Sequence, residues 1–243
     1  MKKFIVLTEQ RSGSTFLGSL LNQHSNILFG GELFLQSTHP KCWVIHDQIQ
    51  VEELVQGDFS SFVGFRGHTK PIEDISAKGL VLHGHQVVPR LAEFEQISEI
   101  ENLQVINLVR TNKLKRHVSQ LVAAKTNAYQ KTAETSDEKP TVWVNYNDFI
   151  NEVKNLEQRQ VHLRSYFSSA QILDVSYEDV ITNTSDVLTS VYSFLGLPLI
   201  EEALGSETSV QKQESRPLSE VIENYTYINN LLQEGGYNWG EQV

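Results

Sequence analysis

Short apolar runs alternate along this chain with stretches in which apolar residues return every third or fourth position, and the two patterns call for different elements. Phe4-Ile5-Val6-Leu7, opened by two lysines, predicts a buried parallel strand, after which Phe16, Leu17, Leu20 and Leu21 share one helical face. Ile27 to Phe29 predicts a short strand, with Gly30-Gly31 as a sharp turn presenting Glu32. Further strands are expected at 79–83, 103–109 and 171–175. Between them fall a helix near 87–98 and another carrying Leu114, Val118, Leu121 and Val122 on one face. A long helix is expected from about Asn147 to Phe167, with Phe149, Val153, Leu156, Leu163 and Phe167 as its inner stripe. Asn183 or Thr184 opens a helix that Gly196 and Pro198 close. A last helix carries Leu218, Val221, Ile222, Tyr225, Ile228, Leu231 and Leu232 up to Gly235-Gly236. Strands alternating with helices predict an α/β three-layer sandwich, with a central, mainly parallel sheet covered by helices on both faces.

Two stretches break the rhythm. Leu35 to about Ser61 carries Pro40 and Trp43 in an expected surface excursion, with a helix at 50–56 and a short strand at 62–66 beyond it. Residues 128–140 are polar without apolar period and predict a mobile loop. Neither stretch marks a domain boundary, so the reading is one domain over residues 1–243.

Charge narrows the partners. The 243 residues carry a formal net charge of -10, which argues against nucleic acid, since a polyphosphate backbone needs a basic field. A local basic pocket is compatible with that total. The single cysteine, Cys42, excludes an internal disulfide and fits a reducing compartment. Met1-Lys2-Lys3 is followed by too few apolar residues for a signal peptide or a transmembrane segment, so a cytoplasmic protein is expected.

The first strand runs into Thr8-Glu9-Gln10-Arg11-Ser12-Gly13-Ser14-Thr15 and so into a helix. Gly13 supplies the permissive backbone of the turn, and Ser14 and Thr15 are positioned to cap the helix. Such a junction aims backbone N–H groups and the positive helix end at an anion. Laid over the nucleotide triphosphatase pattern G-x-x-x-x-G-K-[ST], this loop has Thr8 in place of the first glycine and Ser14 in place of the lysine. The cation stands ahead of the glycine instead, as Arg11, whose planar fork suits phosphate or sulfate oxygens. Arg110 ends another strand, where open α/β sheets bind ligands, and Ser119 follows on the next helix. An arginine there, where a triphosphatase often has a magnesium-binding aspartate, points to a second anion.

The R-S-G-S-T loop, residues 11–15, resembles the 5′-phosphosulfate loop of sulfotransferases that use 3′-phosphoadenosine 5′-phosphosulfate (PAPS). The stretch from Val109 through Arg110 to Ser119 resembles the 3′-phosphate motif of that family, closest to its bacterial trehalose-type branch. Gly31-Glu32 is similar to the G-E bearing that branch's proposed base, and Tyr177-Glu178-Asp179 with 194–198 resembles its Y-E-D and F-L-G-L-P signature. Gln211-Lys212-Gln213 with Arg216 resembles the late loop that closes over the nucleotide. The resemblance implies a P-loop fold with PAPS as co-substrate and no metal. Arg11, Ser12, Gly13, Ser14 and Thr15 would hold the 5′-phosphate, Arg110 and Ser119 the 3′-phosphate, and Tyr177, Lys212, Gln213 and Arg216 the rest of the nucleotide. Arg11 would also oppose charge on the leaving group. Two departures stand out: Arg11 replaces the lysine of the cytosolic branch, and Gly84-His85 replaces a bacterial G-K.

An acceptor hydroxyl must lose its proton, and Glu32 is the first choice of base, with His85 as rival base or sulfuryl clamp. His39, His46, His68 and His83 form no metal-ligand spacing and stay unassigned. The implied acceptor is a hydroxyl of a glycan, lipid or small metabolite. A small-molecule or nucleoside kinase and a noncatalytic nucleotide-binding module are the competing readings; magnesium-dependent ATP turnover would mark the first, absence of product from PAPS the second.

Overall fold

The computed structural model describes residues 1–32, 70, 72–86, 91–126, 140–204 and 216–239. The expected excursion, the 62–66 strand and the 128–139 loop lie outside these residues. Among the described residues a five-stranded sheet forms from β1 (Lys2–Thr8), β2 (Ile27–Glu32), β3 (Ala77–His83), β4 (Leu103–Val109) and β5 (Gln171–Ser176). The order is β2-β3-β1-β4-β5, and every pairing is parallel. The helices are α1 (Ser14–Leu21), α2 (Leu91–Ser98), α3 (Lys113–Thr126), α4 (Tyr146–Tyr166), α5 (Tyr177–Thr182), α6 (Thr184–Phe194), α7 (Leu218–Val221) and α8 (Tyr225–Glu234).

Alternate residues of each central strand feed opposite layers, as a sheet covered on both faces requires. Ile5 and Leu7 join Leu80, Leu82 and Val105 in a core with α2 and the end of α4, through Phe94, Ile97 and Leu163. Phe4 and Val6 join Val81, Ile106 and Leu108 in the opposite core, against Leu17, Leu20 and Leu21 of α1 and Leu188 and Val191 of α6. A third core lies off the sheet, where Leu114 and Val118 of α3 meet Phe149 and Val153 of α4 and the C-terminal helices. The long helix α4 thus serves two cores with one stripe: Phe149 and Val153 near its start, Leu163 toward its end, all buried.

Its start is fixed by Asn145, whose side-chain oxygen accepts from the N–H groups of Asn147 and Asp148. α6 ends as its sequence predicts: Gly196 is left-handed at φ 64°, its N–H bonds the Ser193 carbonyl, and the Leu197 N–H reaches Tyr192. That pair of bonds is a Schellman closure. α3 is locked to α4 by Glu152, which pairs with buried Arg116 at 2.5 Å and with His117 through its other oxygen.

Three expectations change. Gly30-Gly31 is no turn; both lie inside β2, and from Phe29 to Glu32 that strand takes three steps while β3 takes two, from Gly79 to Val81. The extra residue is a bulge, which two glycines accommodate and which redirects Glu32 at the strand end. Ser14 and Thr15 do not cap α1, whose cap position is Gly13 with no side-chain bond. The single C-terminal helix is two, because Ile222 turns extended and bridges in parallel to Val142. Asn224 seals that join, donating to the Val144 carbonyl at 2.8 Å and accepting from its N–H at 3.1 Å.

Gly79 tests the packing between β1 and β3. A Cβ there would stand 2.5 Å from Cε1 of Phe4, a ring buried in the core. Gly79→Ala should therefore cost about 1–3 kcal/mol, the range for overpacking a filled interior. Urea denaturation checks this, and unchanged or raised stability would contradict it.

Candidate functional site

β1 and β4 are neighbours in the sheet, and the chain leaves β1 toward β2 on one side and β4 toward β5 on the other, so their carboxyl ends border a topological switch point. The loop after β1 and the segment after β4 meet there. Arg110 donates from Nη1 to the Arg11 carbonyl at 3.1 Å. Arg11 has a left-handed backbone, φ 64°, unusual for a residue with a side chain. Its Nε and Nη2 both donate to Ser119 Oγ, at 3.1 and 2.9 Å. The sequence reading groups Ser119 with Arg110; in the structure its hydroxyl serves Arg11, and the two stretches expected to hold separate anions form one continuous cluster.

Tyr177 closes the base of this cluster. Its ring lies under the Arg110 guanidinium, 4.8 Å from centroid to Cζ, a cation–π arrangement. It also packs so close to Gly13 that a Cβ there would stand 2.5 Å from ring carbon Cε2. Gly13, at φ 91°, is needed for both the turn and the ring. Ser12 and Ser14 are buried beside it, Thr15 is exposed, and α1 begins without a side-chain cap. Its leading N–H groups thus face the same end of the sheet as the arginines.

Burial, and then the charge of Arg110, push the Arg11 pKa down; burial does the same to Arg110. Arg110 Nε is buried and has no hydrogen-bond partner among the described residues. Cations drawn together out of water, one with an orphan donor, fit an anionic ligand.

Two residues unassigned by the sequence reading support this cluster from behind. Glu178 of the Y-E-D stretch accepts from the N–H groups of Thr111 at 2.9 Å and Asn112 at 3.0 Å, tethering the segment after Arg110. Glu9 is buried and accepts from Arg159 of α4 at 3.0 Å, tying the first loop to that helix. Nothing in the sequence marks this pair, because Glu9 and its partner stand 150 residues apart and the burial that joins them exists only in the folded chain.

The expected bases gather on the β2–β3 side. Glu32 Oε1 lies 3.1 Å from Nε2 of His83, which is 2% exposed in its side chain while Glu32 keeps 25%. Burial raises the Glu32 pKa, but His83, His85 and Arg11 outweigh it and hold the carboxyl below its usual range, so it is ionised at neutral pH. His85 follows β3 in a single turn, its Nε2 3.1 Å from the Gln10 amide nitrogen. Although the residue is open to solvent, partial withdrawal of the ring from water, reinforced by His83, pushes its pKa down to about 4. Arg216 sits at the head of α7, donating to the Pro140 carbonyl at 2.9 Å. Lys212 and Gln213 lie outside the described residues.

A parallel sheet flanked by helices, with two arginines clustered at the β1/β4 switch point, defines an α/β protein of the phosphate-loop class. The chain belongs to the sulfotransferase family: the family described as Sulfotransferase domain matches residues 1–226. It is similar to Nodulation protein H of Rhizobium tropici, 25% identical over 96% of this chain and 90% of that protein. Nodulation protein H of Rhizobium meliloti (strain 1021) is 24% identical, over 96% and 92%. The fold is shared with a sulfotransferase from Alicyclobacillus acidocaldarius, at TM-score 0.51 and 13% identity over 98% of each chain. A mouse sulfotransferase complexed with PAP gives TM-score 0.53 and 13% identity, over 96% of this chain and 82% of that one.

Glu178 offers a test of how the cluster is held. In Glu178→Gln one carboxylate oxygen becomes an N–H₂ group facing a backbone N–H, which should cost about 1–3 kcal/mol at pH 7. Burial raises the Glu178 pKa, yet the Thr111 and Asn112 N–H groups bring it below the ordinary value. Its contribution is therefore complete above the unfolded pKa and fades as pH falls through the folded one. Urea midpoints of wild type and variant should differ at pH 7 and converge below about pH 4; a pH-independent gap would show that the ionised carboxylate is not what holds the segment.

Proposed function

We propose that the protein transfers a sulfuryl group from PAPS to an acceptor hydroxyl by in-line displacement. The observation that carries this is the convergence of Arg11, Arg110 and Ser119 at one end of the sheet, beside an ionised Glu32. Family membership supports the reaction class, and the PAP complex of the mouse relative supports the donor. The orphan Arg110 Nε and the uncapped start of α1 fit a ligand with two phosphorylated ends.

Bound PAPS supplies an activated sulfuryl group on its 5′-phosphate. Arg11 and the N–H groups over Ser12 to Thr15 bind that phosphate and oppose the negative charge that grows on the bridging oxygen. Arg110 and Ser119 recognise the 3′-phosphate. With ligand present, Arg11 turns part of its fork from Ser119 to the anion. Tyr177 keeps Gly13 and Arg110 in register. Lys212, Gln213 and Arg216 complete the nucleotide site from the late loop.

Glu32 takes the acceptor proton. The bond between acceptor oxygen and sulfur forms while that between sulfur and the bridging oxygen breaks; the electron pair leaves on adenosine 3′,5′-bisphosphate and the proton goes to the carboxylate. His85, neutral at pH 7, lies beside this path and steadies the transferring group. Positioning and electrostatics carry most of the acceleration, as in phosphoryl transfer. The acceptor is a hydroxyl of a glycan, lipid or small metabolite, and the reaction belongs in the cytoplasm.

Turnover of labelled PAPS across an acceptor panel tests the reading, with variants assigning the roles. Glu32→Gln should leave nucleotide binding intact and lower turnover about a hundredfold or more. His85→Asn should weaken PAPS relative to adenosine 3′,5′-bisphosphate. Arg110→Ala should weaken the bisphosphate more than adenosine 5′-phosphate. Near wild-type turnover for Glu32→Gln, with collapse for His85→Asn at unchanged PAPS affinity, would move the base to His85.

A further inference from the structure

His83 ends β3 in register with Thr8 of β1, beneath the loop that carries Arg11. It is 1% exposed, and neither ring nitrogen makes a directed hydrogen bond among the described residues. A buried imidazole without such bonds is costly, and an apolar side chain would fill the place with less penalty. The Glu32 carboxylate lies close to it, with Nε2 3.1 Å from Oε1. Resting on the reading that Glu32 is the base, we propose that His83 is its positioning residue, holding Oε1 so that Oε2 faces the acceptor hydroxyl.

The need for such a hold follows from the bulge. Gly30 and Gly31 leave the end of β2 with permissive backbone, and two methylene groups separate the carboxylate from it. Rotation about those bonds would spread the oxygens over many orientations, whereas a base must sit within hydrogen-bond reach of one proton. With a proton on Nε2, the His83 ring can donate to Oε1 and leave the other oxygen free.

Among the described residues, the charged and titratable groups that face Glu32 are His83 from β3, His85 from the turn after it and Arg11 from the loop after β1. Burial alone would raise its pKa, and His83 is the largest of the influences that lower it. Removal of His83 should therefore do more than loosen the side chain; it should weaken the hold on the ionised form. His85 lies 5.5 Å from His83 between ring centroids and is paired with Gln10, which makes it a neighbour of this pair and not a substitute for it.

The test compares His83→Leu, which keeps bulk and removes the donor, with His83→Gln, which restores a donor near the Nε2 position. Carbon-13 NMR of the glutamate carboxyls, with the Glu32 signal assigned by its absence in Glu32→Gln, gives a readout independent of turnover. In His83→Leu, Glu32 should titrate at higher pH and the acid limb of kcat/KM should move with it. The kcat should fall about tenfold or more, with affinity for adenosine 3′,5′-bisphosphate unchanged. His83→Gln should recover part of each change, and His83→Leu added to Glu32→Gln should cause no further loss. A Glu32 titration unmoved in the variant, or an equal loss in both backgrounds, overturns the positioning role. If His83→Leu does not fold, the shift in His83→Gln decides it. Near wild-type turnover in Glu32→Gln overturns the base assignment and this proposal together, a result distinct from an unmoved titration.

Discussion

Arg110 donates to the main-chain carbonyl of Arg11 where β1 and β4 end side by side, and through this bond the loop after the first strand and the segment after the fourth become one surface. The two residues lie 99 positions apart in the chain, so parallel register alone brings them together. Around them the protein concentrates positive charge that its net charge of -10 conceals. Holding guanidinium groups close and partly dry is unfavourable, and the fold offsets it locally: Tyr177 lies under Arg110, Ser119 accepts from Arg11, and Glu178 tethers the adjoining backbone. An anion would complete what these contacts begin.

The remainder of the architecture keeps this surface still. α4 holds the third core and the sheet core with a single stripe, while Arg159 on the same helix reaches back to Glu9 in the first loop. Glu152 fastens α3, the helix that bears Ser119, through Arg116 and His117; their pull outweighs its burial and takes its pKa down to about 2. Rigid placement of this kind suits a reaction in which orientation and fixed charge, more than covalent participation by the protein, lower the barrier.

Much of this was legible in the sequence, for identifiable reasons. Phe4 to Leu7, Gly79 to His83 and Leu103 to Val109 are apolar runs because both of their faces are covered, and the inner stripe of α4 keeps its period along a long helix. What escaped depends on partners distant in the chain. Gly30-Gly31 looks the same in a turn and in a bulge until β3 supplies the register, and Ile222 reads as helical until Val142 pairs with it. Ser119 was recognisable as part of a motif, but its service to Arg11 depends on how far that side chain reaches across the crevice. Glu9, Arg159 and His83 carried no local signal for their pairing, since burial of a charge or an imidazole is a tertiary property.

The central claim, that Arg11 and Arg110 form one site for a nucleotide with two phosphorylated ends, is tested most directly by the melting temperature with adenosine 3′,5′-bisphosphate and with ATP plus magnesium at equal concentration. Selective binding to the folded state predicts a rise of several degrees with the bisphosphate and little with ATP, since stabilisation grows as RT ln(1 + [L]/Kd) and 1 kcal/mol corresponds to about 2–4 °C at this size. Equal shifts, or a larger one with ATP and magnesium, would contradict it.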